Sequence, residues 1–189
     1  MKRLVLAVFA AMSIVCPAQT SIPSKMLKGI DTELDEFTHT TTYSSKGCPL
    51  SVVCVGDSVS LRVVLSVAAY DAPVGLEKIL VLSDGLTTEI ADTANFKMRE
   101  NSQRTMTSGS SGRFGTSSYK GAQFGSRAVF FEVWDADAVP WLSLVESIAT
   151  NPSKVRFVGR NQSVDHEFSG KEQKKMVAIL ALYHHLKGE

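Results

Sequence analysis

Asp165-His166-Glu167 sets a histidine between two carboxylates, residue types able to relay a proton or activate a hydroxyl. On a strand the three cannot act together, because neighbouring residues point to opposite faces. His166 then shares a face with Val164 and Phe168, while Asp165 and Glu167 face the other way. His166 reads as a half-buried core or rim residue, and a catalytic role needs a partner from elsewhere, with His39 and Asp135 as candidates. His184 and His185 sit side by side near the end of a helical stretch. Adjacent helical residues diverge by about 100° and do not chelate one ion together, whereas a cationic histidine at a helix C-terminus is favourable by itself. No H-E-x-x-H, G-x-S-x-G, C-x-x-C or G-x-x-x-x-G-K-[ST] occurs, so neither a metal nor a cofactor is expected. Asn161-Gln162-Ser163 is an acceptor sequence for N-glycosylation in a host that performs it.

The second chemical candidate is the stretch from Asn101 to Phe131, which holds no acidic residue. Arg104, Arg113, Lys120 and Arg127 are interleaved with Phe114, Tyr119 and Phe124 among many glycines and serines. Cations and aromatics on a pliant backbone suit a protein surface, a glycan or a small anionic ligand, and long ordered loops are often binding loops. The plain alternatives are a mobile connection or a β-hairpin whose aromatics pack down. A near-neutral chain, formal charge +1, argues against bulk attraction to nucleic acid.

Lys2 and Arg3 precede an uncharged run, Leu4 to Val15, and Cys16-Pro17-Ala18 follows with small residues suited to cleavage. This is the layout of a secretory signal peptide over residues 1–18, too short to span a bilayer. The expected destination is the periplasm or the extracellular space; lipidation at Cys16 is the alternative. Loss of Lys2 and Arg3 takes the formal charge to −1, and no other run approaches membrane length. Export leaves Cys48 and Cys54, which an oxidising compartment would favour as a disulfide. The pair closes only if Pro49-Leu50-Ser51 turns the chain, since a continuous strand holds them far apart. Two buried thiols are the other reading.

Residues 19–36 read as a flexible acidic leader and 37–189 as one domain. Ser58 to Ala68 alternates, with Val59, Leu61, Val63, Leu65 and Val67 on one face and Val64 the one exception on the other. Lys78 to Ala91 reads as a hairpin about Asp84-Gly85, and a strand is expected over 95–100. Arg127 to Trp134 is apolar on both faces and reads as a central strand. Pro140 begins a helix that Asn151-Pro152 ends. A hairpin about Arg160-Asn161-Gln162 follows, and Ser169-Gly-Lys-Glu172 is a capping box opening a helix to about Leu186. Strands adjoin as hairpins and outnumber helices, so the class is α+β: a mostly antiparallel sheet with two helices on one face.

The terminal stretch K-V-R-F-V-G-R-N-Q-S-V-D-H-E-F-S-G-K-E-Q-K-K-M-V-A-I-L-A-L-Y-H-H-L, residues 154–186, resembles small uncharacterised secreted proteins of Gram-negative bacteria. The resemblance implies no activity and no site residues. The function expected is that of an exported, non-enzymatic binding module. The rivals are a small extracytoplasmic hydrolase built around His166 and a structural subunit of an envelope assembly, for which an exposed sheet edge would matter most.

Overall fold

A computed structural model describes residues 22–188 apart from 71, 108–110, 115–116 and 121–122; for 99–107, 111–114, 117–120 and 123–127 the description is of the backbone. The strands come first in pairs that adjoin along the chain: β1 (Asp31–Asp35), β2 (Thr40–Ser44), β3 (Leu50–Val55), β4 (Ser58–Tyr70), β5 (Leu76–Ser83) and β6 (Leu86–Ile90). Next come β7 (Phe96–Thr107), β8 (Ser111–Phe114), β9 (Ser117–Lys120) and β10 (Gln123–Asp137). The chain closes with α1 (Leu142–Thr150), β11 (Ser153–Gly159), β12 (Ser163–Glu167) and α2 (Gly170–Lys187).

The α+β class holds, with two sheets where one was expected. One runs β1-β2-β3-β4-β10-β7, the other β12-β11-β5-β6, and β8-β9 form a separate hairpin. The alternation of β4 does what its pattern requires: Val59, Leu61, Val63, Leu65 and Val67 are buried, with Ser58, Arg62 and Ser66 outside. Val52 and Cys54 on β3, and Trp134 and Ala136 on β10, extend that buried face. Ile79, Val81, Val155 and Phe157 of the smaller sheet join the same core. Asp84 and Gly85 both take left-handed φ, 50° and 73°, the geometry that a two-residue turn joining β5 and β6 needs.

The longer helix, α2, is fixed at both ends by local chemistry. Ser169 accepts the Glu172 N–H, Glu172 accepts the Ser169 N–H, and Gly188 closes α2 in the left-handed region at φ 77°. Met176, Ile179, Leu180, Leu182 and Tyr183 bury one side of α2 against β3 and β4, and α1 lies against α2 and β5. The Gln173 side-chain amide donates to Ile148 O at 2.8 Å and Asn151 O at 2.5 Å, satisfying carbonyls at the end of α1. Pro140 falls in a 3-10 turn, Val139–Trp141, one step before α1. Among the described residues no helix is long and apolar enough to cross a membrane.

Three expectations change. The sheet begins inside the stretch read as a leader, because β1 pairs with β2 from Asp31. No disulfide joins Cys48 and Cys54. Leu50 to Val55 is one unbroken strand paired to β2 and β4, so Pro49-Leu50-Ser51 makes no turn. Four strand steps alone, Leu50 to Cys54, span ~13 Å, beyond the ~7 Å limit of a bridge. Burial of the Cys48 thiol pushes its pKa up, which disfavours the reactive thiolate. Third, the stretch read first as a long loop takes the other form left open for it, a β-hairpin. β7 pairs with β10 from Phe96↔Trp134 to Thr107↔Gln123, beyond the last residue of β4, and β8 pairs with β9 inside that hairpin. Between Thr107↔Gln123 and Ser111↔Lys120 one strand advances four residues and the other three, an offset of one in register.

Candidate functional site

The expected ligand-binding residues are spread along this ribbon. Arg104 is on β7, Arg113 and Phe114 on β8, Tyr119 and Lys120 on β9, and Phe124 and Arg127 on β10. Their side chains lie outside the described residues.

The described side chains converge elsewhere, where the two sheets meet. Glu132 sits in the apolar run of β10 and is 4% exposed. Its two carboxylate oxygens accept consecutive backbone N–H groups, Gly75 at 2.9 Å and Leu76 at 2.6 Å. A buried carboxylate is tolerable only with such charge-assisted partners. Gly75 reaches this geometry at φ 69°, a left-handed conformation that costs glycine little. Residues 72–75 form a strap held from the other side by the turn between β11 and β12. Arg160 N donates to Gly75 O and Asn161 N to Val74 O, both at 3.1 Å, and the Asn161 side-chain amide donates to Pro73 O at 2.9 Å.

Beside this strap opens a cavity of about 240 Å3 lined by Gly75, Leu76, Phe96, Lys97, Met98, Glu132 and Arg160. It runs alongside β7, an edge strand whose ladder partner among the described residues is β10 alone. Met98 is 62% exposed at its mouth. Lys97 Nζ reaches Asp135 at 2.8 Å, and Arg160 Nε reaches Glu77 at 2.8 Å. The volume decides what fits. Small-molecule and cofactor sites run from roughly 300 to 1,000 Å3; this one accommodates a single side chain.

Asp135, a candidate partner for catalysis, is occupied. Arg62 meets it with two bonds of 2.6 Å and Lys97 with a third. The Arg62 guanidinium, aided by Lys97, holds its carboxyl at about 2 against the ordinary 3.8. A lowered native pKa adds stability above the unfolded value, near 4, and loses it as pH falls towards 2. Arg62 and Lys97 are more than half exposed, so solvent screening reduces the gain to about 1 kcal/mol. Asp135→Asn should therefore lower unfolding free energy by about 1 kcal/mol at pH 7 and converge with the parent between pH 4 and 2. Urea melts across that range measure it; a constant difference across the range would show that charge is not the cause.

His166 and its neighbours take the divergent directions expected of a strand. Asp165 pairs with Arg156 at 2.6 Å and Glu167 with Lys154. The His166 ring packs edge-on against Phe168, 5.1 Å between centroids, and its Nε2 lies 3.3 Å from Glu172. Glu172 is itself committed to the helix cap, which also lowers its pKa despite opposing burial. Neither the junction cavity nor a second cavity, about 230 Å3 on the outer face of the smaller sheet, is lined by His166. Among the described residues no cluster of three metal-ligating side chains is gathered.

Sequence reasoning passed over Glu132, Gly75 and Met98. The signal available was one carboxylate within R-A-V-F-F-E-V-W; its backbone partners lie more than fifty residues upstream, where no local pattern points to them. Comparison with protein-family models finds no matching family, and comparison with curated proteins and with solved structures finds no match.

Proposed function

We propose that the protein is an exported, non-enzymatic binding module that takes an extended polypeptide segment along the β7 edge, with one side chain seated in the junction cavity. The observation that carries this reading is a side-chain-sized cavity opening beside a strand paired on one side. Strand addition needs those two features: backbone hydrogen bonds supply affinity and a pocket for alternate side chains supplies specificity. Lys97 and Arg160 at the rim, paired with Asp135 and Glu77 yet well exposed, can also meet acidic residues flanking an apolar anchor. Export rests on the N-terminal signal layout. The hydrolase reading fares less well, since His166 faces a capping glutamate and Asp135 is held by two cations.

The test is selection of a displayed peptide library on the immobilised protein, followed by affinity measurement. Enriched peptides should share one apolar residue with acidic neighbours. Met98→Trp, which closes the cavity mouth, should weaken them at least tenfold, and Val177→Trp, at an exposed position on α2, should leave them unchanged. Absence of enrichment, or peptides indifferent to Met98→Trp, would overturn the reading.

A further inference from the structure

The two outer strands of the six-stranded sheet carry opposite charge. β1, Asp31-Thr-Glu-Leu-Asp35, has three acidic residues in five, and all five are exposed. β7 begins Phe96-Lys-Met-Arg99, and over its length Lys97, Arg99 and Arg104 stand against Glu100. Exposed strand edges are ready to pair with another chain unless something prevents it. Like charges set directly opposite are destabilising and opposite charges favourable. β1 against β1 and β7 against β7 are therefore disfavoured, and β1 against β7 is favoured.

The faces match as well. In β1, Leu34 pairs with Thr41, which is buried, so Leu34 belongs to the inner face of the sheet, while Asp31, Glu33 and Asp35 belong to the outer face. In β7, Phe96 and Met98 pair with Trp134 and Glu132, both buried, so they belong to the inner face, while Lys97 belongs to the outer. A sheet continued from β7 of one copy into β1 of the next thus sets acids beside bases on its outer face. On its inner face it sets Leu34, 60% exposed, beside Met98 and the mouth of the cavity.

We infer that the segment β7 takes is β1 of a second copy of this chain, so that molecules join head to tail by sheet extension. This rests on the strand-addition reading of the β7 edge. Because the two contacting surfaces differ, the contact is heterologous and propagates until a rotation closes it into a ring.

Sedimentation velocity over a range of concentrations, at low and at 0.5 M salt, tests it on the purified protein. Wild type should form larger species as concentration rises, weakened by salt. Asp31→Lys/Glu33→Lys/Asp35→Lys and Lys97→Glu/Arg99→Glu should each reduce association about tenfold or more. Circular dichroism and thermal melts verify that both variants fold; should either melt early, the salt dependence of wild type supplies the same test. An equimolar mixture of the two should regain association, because each offers the charge the other has lost. A wild type that stays monomeric throughout, or variants that associate as wild type does, would overturn the inference. Acidic peptides that still bind in a Met98-dependent way would then leave strand addition standing with a different partner; their loss would remove both readings.

Discussion

Alanine at Gly159 should lower the free energy of unfolding by about 3 kcal/mol, at the upper end of what overpacking costs. Gly159 ends β11 where its pairing with β5 shifts register. Its φ is not in the left-handed region, so the demand for glycine here is space alone. A Cβ at that position would overlap the Val74 carbonyl oxygen and stand 2.7 Å from both the carbonyl carbon and Cγ1 of Val74. Val74 is fully buried, and the strap it belongs to is fixed by Glu132 on one side and by Arg160 and Asn161 on the other. The main chain therefore has nowhere to go. Trimming the side chain, as in Gly159→Ala/Val74→Ala, should give no rescue, because the collision is with backbone. Urea unfolding of the single and double variants decides it: a loss under 1 kcal/mol, or rescue by Val74→Ala, would show that the strap yields.

Glu132→Ala should cost about 3 kcal/mol by a different route. Two backbone N–H groups, Gly75 and Leu76, lose charged acceptors at once, and removing one partner of a buried polar pair carries the desolvation cost of what remains. Glu132→Gln should fall between the variant and wild type: one oxygen still accepts, and the amide NH2 opposes the other N–H. Glu132→Ala and Gly159→Ala break the same strap, so the double variant should lose less than the sum of the two. Chemical denaturation of all four proteins of the cycle measures that coupling. Strict additivity would mean that the two residues hold independent parts of the fold.

Local signals were the legible ones. The alternation of β4, the Asp84-Gly85 turn and the Ser169 capping box each depend on residues within a few positions of one another, and each is found as expected. What joins distant stretches was not legible. At the junction of the two sheets Glu132 holds the strap, a contact without a sequence period. β1 escaped because an edge strand exposed on both faces has no apolar alternation to show. Of the β7-β10 ribbon, the parts over 95–100 and 127–134 were legible as strands; the rest was hidden by the glycines and serines of the stretch 107–126, which resembles a loop in composition. For the cysteines, the argument from compartment outweighed a simpler one: Leu-Ser-Val-Val-Cys-Val is good strand sequence, and a strand keeps its ends apart.

The pairing of β5 with β11 sets a condition on how the chain comes to its final form. Leu80 finds Arg156, and Ser83 finds Ser153, across roughly seventy residues, as β4 finds β10 across a similar interval. Neither sheet can close until most of the polypeptide has left the ribosome. Loops of that length are slow to nucleate, and proteins dominated by such pairings reach the native state in milliseconds to seconds. Until then β4 and β5 each lack one neighbouring strand, and the interval before the last third of the chain arrives is when their apolar faces are most open to misassociation.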